Sequence, residues 1–190
     1  MFQARRVDDD HPWRRHIGWD AARERNSSIS IGILSLVDDP RTFRGMTVCG
    51  FAHPGSELRR QLTDLVLAGT KTSTAGLAVE YELDGDPFPQ PGTREAVIDV
   101  DGRFVAVIET TECRVLSMSE VDDQFARDEG EGFADATDWR VAHERYWDRY
   151  VDELRDRLGD PSWSLADDTG IVCQRFRVVE RFPEPLPHEP

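Results

Sequence analysis

Residues 95–108 read EAVIDVDGRFVAVI, and this stretch decides the fold. Two apolar, β-branched runs, Glu95 to Val100 and Phe104 to Val115, flank Asp101-Gly102, a dipeptide that supplies the backbone angles of a tight hairpin. Upstream, Ser56 caps a helix whose Leu58, Leu62, Leu65 and Val66 recur every three or four residues, and Gly69 ends it. Leu77 to Leu83 reads as a strand, followed by the turn-forming Asp84-Gly85-Asp86-Pro87 and Pro91-Gly92. Downstream, Ser119 opens a short helix through Val121 and Phe125 that stops near Gly130. Asp135 to Leu158 reads as one longer helix, with Trp139, Ala142, Tyr146, Tyr150 and Leu154 near one face and Gly159 and Pro161 as its stop. Ile171 to Phe182 is the last strand. Strands gathered among two or three helices, without strand–helix alternation, predict an α+β domain: a small, mostly antiparallel β-barrel flanked by helices. A dinucleotide-binding fold is disfavoured, because no G-x-G-x-x-G follows a strand and Gly130-Glu131-Gly132 is too acidic and too short to cradle phosphates.

The chain has 190 residues, enough for one domain with appendages. Hydrophobic residues make up 38% and charged residues 32%, and no apolar run approaches the length of a membrane span. Cys49, Cys113 and Cys173 are far apart and odd in number, which argues against a disulfide framework or structural zinc and for a reducing cytoplasm. The formal net charge of −14 belongs to residues 46 to 190, which hold 15 basic and 30 acidic residues for a charge of −15, and it opposes binding of long nucleic acid through phosphates. Residues 1–45 read as an N-terminal extension, disordered or outside the native protein, with Met46 as an alternative start; residues 46–182 form the domain. Residues 183–190, rich in proline, form a disordered tail.

Lys71 is the only lysine; every other basic position is arginine. An amine differs from a guanidinium in that burial can lower its pKa into a useful range. It lies in Leu67-Ala68-Gly69-Thr70-Lys71-Thr72-Ser73-Thr74-Ala75-Gly76, where a single turn would bring Lys71 to Thr74. A lysine kept neutral by burial could then take the proton from the threonine and make it a nucleophile. The same stretch also reads as a solvated, hydroxyl-rich loop. A second cluster, Phe125-Ala126-Arg127-Asp128-Glu129-Gly130-Glu131-Gly132, sets carboxylates against the macrodipole at a helix C-terminus, which points to another use or to an acidic surface loop. Glu129 there could orient Lys71 or protonate a leaving group. Asp128, Glu129 and Glu131 could also hold a divalent ion weakly. Of the strand carboxylates Glu109 and Glu112, alternation lets only one face a pocket. His143 reads as a helix-surface residue, and His53 and the three cysteines as structural or incidental.

Taken in order, Gly69-Thr70-Lys71-Thr72-Ser73-Thr74 after an apolar helix, Val79-Glu80-Tyr81-Glu82, Pro91-Gly92, Ala106-Val107-Ile108-Glu109-Thr110-Thr111, the acidic cluster 125–132 and Val172-Cys173-Gln174-Arg175-Phe176 resemble the ASCH domain family over about residues 50–182. The resemblance implies a PUA-like β-barrel flanked by helices. Its characterised members include small amidohydrolases that deacetylate 4-acetylcytidine and a member that cleaves single-stranded RNA. By position it implies a catalytic set of Lys71 as base, Thr74 as nucleophile and Glu129 as positioning or leaving-group residue, with Gly69, Ser73, Glu109 and Glu131 around the substrate. Backbone N–H groups in a turn from Ser73 to Gly76 would serve as oxyanion donors. The chain departs from the pattern at Ala75-Gly76-Leu77, where many members carry an arginine.

Three functions are compatible with this reading: a hydrolase of a modified nucleoside, an RNA-binding module and a single-strand ribonuclease. The acidic charge and the lone lysine favour an uncharged nucleoside or another small molecule as partner, with single-stranded RNA as the alternative. RNA binding would require Arg59, Arg60, Arg94, Arg114 and Arg175 to form one patch beside the site. No cofactor, resident metal or membrane partner is expected.

Overall fold

The computed structural model describes residues 42–187. The expectation for residues 1–41 and for the last three residues of the tail lies outside these described residues. Six strands form one sheet: β1 (Thr42–Phe43), β2 (Met46–Cys49), β3 (Ser73–Leu77), β4 (Arg94–Ile98), β5 (Phe104–Ser117) and β6 (Gly170–Leu186). Their spatial order is β1-β2-β4-β5-β6-β3. Every pairing is antiparallel except β2 with β4. The long β5 and β6 form the spine, and the hairpin expected around Asp101-Gly102 joins β4 to β5, with Gly102 at φ 76°.

The sheet is open where a closed barrel was expected. β1 and β3 end the order without pairing with each other. At the β3 edge the Thr72 amide, just before the strand, donates instead to the carbonyl of Asp128, the last residue of a short helix. The boundary expected at Gly45/Met46 falls inside the β1–β2 hairpin, where Phe43 stacks on Phe104 at 3.9 Å. The final strand runs past Phe182 to Leu186, opposite a register shift between Phe104 and Ala106 that tolerates the missing donors of Pro183 and Pro185.

Helix α1 (Glu57–Ala68) is capped as its sequence predicts: the Ser56 hydroxyl accepts from the Arg59 amide, and Gly69 closes it in the left-handed conformation. Three other elements differ from expectation. Leu77 to Leu83 is not a strand; after Leu77 the chain enters helix α2 (Ala78–Asp84), closed by left-handed Gly85. A short apolar run cannot be assigned by periodicity alone, and here the glycine stop and the buried Ala78 and Val79 favour the helix. The helix expected from Ser119 is a 3-10 turn, Met118–Glu120, followed by α3 (Asp123–Asp128) with Asp122 as its cap. The long helix is broken by a second 3-10 turn, Asp148–Tyr150, into α4 (Ala136–Trp147) and α5 (Val151–Leu158). That break lets Trp139, Trp147 and Leu154 all reach one apolar cluster with Leu77, Phe125 and Ile171. A second cluster lies under α1, where Leu62 and Val66 meet Val97, Ile108 and Phe176. No helix among the described residues is long and apolar enough to cross a membrane.

Candidate active site

The site is built where α1 ends, where β3 begins and where α3 gives way to its loop. Gly69 turns the chain, and the Thr70 and Lys71 amides both return to the Leu65 carbonyl at 2.9 and 3.1 Å. Thr72 then links two elements: its amide donates to the Asp128 carbonyl at 2.8 Å, and its carbonyl accepts from the Phe176 amide at 2.9 Å. Opposite, the loop Glu129-Gly130-Glu131 lies flat against Thr70 and Lys71. Gly130 makes that approach possible, with φ 70° and no side chain; a Cβ there would stand 2.5 Å from the Thr70 carbonyl oxygen.

Lys71 is thereby buried, with its side chain 1% exposed, between two carboxylates. Its Nζ donates to Glu129 Oε2 at 2.7 Å and to Glu131 Oε1 at 2.6 Å. The Phe51 ring centroid lies 5.9 Å from the same nitrogen. Glu129, also 1% exposed, accepts at Oε1 from the Trp139 indole N–H at 2.8 Å. The His143 ring stacks on Trp139 at 4.3 Å, and its Nε2 stands 3.6 Å from Glu129 Oε1. His143 Nδ1 faces the Trp139 carbonyl at 3.0 Å; a carbonyl only accepts, so this nitrogen carries the proton.

These contacts fix the charge states. Burial disfavours the Lys71 ammonium, but the attraction and hydrogen bonds of Glu129 and Glu131 outweigh it and hold its pKa above the ordinary lysine value. The expected neutral lysine is therefore corrected: Lys71 is a cation, because two carboxylates face it. Burial likewise disfavours ionised Glu129, yet Lys71, His143 and the Trp139 bond bring its pKa below the usual carboxylate range. Glu131 goes the other way. Burial and repulsion from Glu129 outweigh the pull of Lys71 and push it up to about 7. His143 is lowered, chiefly by burial. With its side chain 18% exposed, Glu131 is the member of the triad that reaches solvent, and it exchanges a proton near neutrality.

Of the residues expected at the site, Lys71, Glu129 and Glu131 come together. Thr74 lies on β3 rather than in a turn, opposite Gln174, and makes no hydrogen bond to Lys71. Ser73 is buried and donates to the Phe125 carbonyl at 3.2 Å, so it braces α3. Gly69 is the α1 cap. Glu109 is engaged by Arg94 at 2.9 Å and Arg177 at 2.6 Å, and the two hold its carboxyl below the usual range. The oxyanion turn from Ser73 to Gly76 is a strand whose residues pair with β6; as a terminal strand it leaves alternate amides pointing away from the sheet. The arginines expected to form a patch are engaged in the protein: Arg59 is buried against the Ala52 carbonyl, Arg60 bonds Glu57, Arg94 bonds Glu109, Arg114 bonds Glu112, and Arg175 pairs with Asp128 and Glu112. Among the described residues no group of three His, Cys, Asp or Glu is placed to hold a metal ion. Asp128, Glu129 and Glu131 instead serve Arg175 and Lys71. Trp139, read from sequence only as a core residue, is the missed member: its polar edge holds Glu129, and nothing local in a bond ten residues long signals it.

The family model described as the ASCH domain matches residues 49–180. Among solved structures, the ASCH domain from Lactobacillus crispatus JV V101 superposes with a TM-score of 0.60 at 27% identity, covering 72% of this chain and 82% of that one. Protein EF3133 from Enterococcus faecalis V583 does so with a TM-score of 0.60 at 26% identity, covering 70% and 75%. No curated protein gives a significant match. With a family model spanning most of the described sheet, both flanks of Lys71 and the acidic loop, this chain belongs to the ASCH domain family.

Proposed function

We propose that the protein is a small hydrolase that removes an acyl group from the amine of a modified nucleoside of the 4-acetylcytidine type. One observation carries this reading: a buried lysine is clamped between Glu129, held below the usual carboxylate range, and Glu131, pushed up to about 7. Amide hydrolysis needs a cation where negative charge develops and a group that first accepts and then returns a proton. Lys71 has three N–H bonds and spends two on the carboxylates, so one remains for a substrate oxygen. As an ammonium it cannot be the base, and Glu131 takes that part. Thr74, whose hydroxyl has no hydrogen-bond partner among the described residues, is the nucleophile in this reading. Its oxygen attacks the acyl carbon while its proton passes to Glu131. Collapse of the tetrahedral species breaks the C–N bond, and Glu131 returns the proton to the departing amine. Water then hydrolyses the acyl-threonine, releasing the carboxylic acid and Thr74.

The test is release of cytidine from 4-acetylcytidine by the purified protein, beside Lys71→Ala, Thr74→Ala and a labelled single-stranded RNA. Turnover that vanishes in Lys71→Ala supports the reading; RNA cleavage without deacylation replaces it with a ribonuclease, and neither activity removes it. Glu131→Gln is expected to lower kcat by about 10²-fold or more. In the wild type kcat rises with pH through about 7 as Glu131 loses its proton, and that inflection is absent from the residual activity of Glu131→Gln.

A further inference from the structure

A second set of polar groups lies on the face of the sheet to which Thr74 points. Thr74 and Gln174 are directly paired across β3 and β6, and Cys113 of β5 is paired with Gln174 on its other side, so the three side chains share one face. Gln174 is 3% exposed. Both N–H bonds of its amide are spent, on Glu95 Oε2 at 2.5 Å and on the Thr110 hydroxyl at 2.8 Å. Its own Oε1 has no hydrogen-bond partner among the described residues, and neither has Glu95 Oε1. Tyr81 of α2 closes over the same face two residues along from Thr74: a Cβ at Gly76 would stand 3.3 Å from its ring and 3.8 Å from its hydroxyl. That hydroxyl, like Thr74's, is unbonded among the described residues. Phe88 meets the Tyr81 ring edge-on at 5.4 Å. Three polar groups, Gln174 Oε1, Glu95 Oε1 and the Tyr81 hydroxyl, are thus left for a ligand beside the hydroxyl of the proposed nucleophile.

We infer that Gln174, Glu95, Tyr81 and Thr74 form a recognition site for the ring edge of an uncharged pyrimidine nucleoside carrying an exocyclic N–H. The choice of nucleoside rests on the hydrolase reading above. Gln174 Oε1 can only accept, so the ligand must bring an N–H to it; the two hydroxyls donate or accept and suit a neighbouring ring nitrogen or carbonyl. A charged ligand fits poorly. Burial disfavours charge on Glu95 and raises its pKa, and among the described residues no cation bonds to this cluster. The Tyr81 and Phe88 rings add an aromatic wall for a flat heterocycle.

The experiment is calorimetric titration of cytidine and uridine into the full chain, into Glu95→Gln and into Tyr81→Phe, with thermal melting of each. Cytidine is expected to bind more tightly than uridine and to weaken about tenfold in Glu95→Gln, the discrimination supplied by one buried hydrogen bond. Tyr81→Phe removes only a hydroxyl without a protein partner, so it carries the test even if Glu95→Gln does not fold. No cytidine binding, or equal affinity in the wild type and Tyr81→Phe, overturns the inference. If 4-acetylcytidine is not hydrolysed while cytidine binding still falls in the variants, the hydrolase reading fails and the recognition site stands. If it is hydrolysed with KM unchanged in both variants, the hydrolase stands and the recognition site fails.

Discussion

At the residue scale, Lys71 and Gly130 define the site together, one by charge and the other by the absence of a side chain. Removing one partner of a buried ion pair leaves the other charge uncompensated, at about 3–5 kcal/mol. Lys71→Ala therefore strands Glu129, and Glu129→Gln is the gentler probe because it keeps the shape of the side chain, although its single amide oxygen can accept from Lys71 or from Trp139 but not from both. Gly130→Ala is expected to cost more than the roughly 1–2 kcal/mol of a left-handed alanine, because its methyl would also press on the Thr70 carbonyl. Urea denaturation measures that loss; an unchanged midpoint would mean the loop does not depend on the close approach seen here. Lys71 was legible from composition alone, since a single amine among arginines stands out. Its protonation was not, because the sign depends on two carboxylates 58 and 60 residues away whose distance no sequence spacing conveys.

At the element scale, the capping signals were the reliable part of the sequence. Ser56 and Gly69 bound α1 where expected, and the Asp101-Gly102 hairpin holds β4 against β5. The misreadings share a cause. α2 is seven residues long and β3 five, too short for periodicity to separate helix from strand, and tertiary packing decided. The broken helix 135–158 followed a correct apolar stripe that bends with the core. Helix α4 also carries a polar function on an apolar residue: the Trp139 indole N–H fixes Glu129. Trp139→Phe keeps the ring in the core but removes that donor, so the Glu129 carboxyl should titrate at higher pH and deacylation should fall with little change in KM. Carbon-13 NMR of the Glu129 carboxyl checks the first expectation and steady-state kinetics the second. An unaltered titration would show that the indole contributes nothing to the charge of the site.

At the scale of the whole molecule, acidity and burial set the pH response. Two carboxyls, Glu80 and Glu131, are each pushed up to about 7, mainly by burial. Between the ordinary carboxylate range and about 7 the folded protein holds these protons while the unfolded chain has lost them, so stability falls as pH rises through that window. The melting temperature is expected to drop from pH 5 to pH 7, with a shallower slope in Glu80→Gln and in Glu131→Gln; equal slopes in all three would contradict the assignment. Of the five arginines expected to gather, Arg60, Arg94, Arg114 and Arg175 are paired with carboxylates and Arg59 bonds the Ala52 carbonyl. The sealed position of Lys71 has one more consequence. Since the chain has no other lysine side chain, an amine-selective acylating reagent can label a side chain only when the clamp around Lys71 swings open. Mass-resolved labelling would then count those openings one molecule at a time, and a bound nucleoside that tightens the loop would slow the clock.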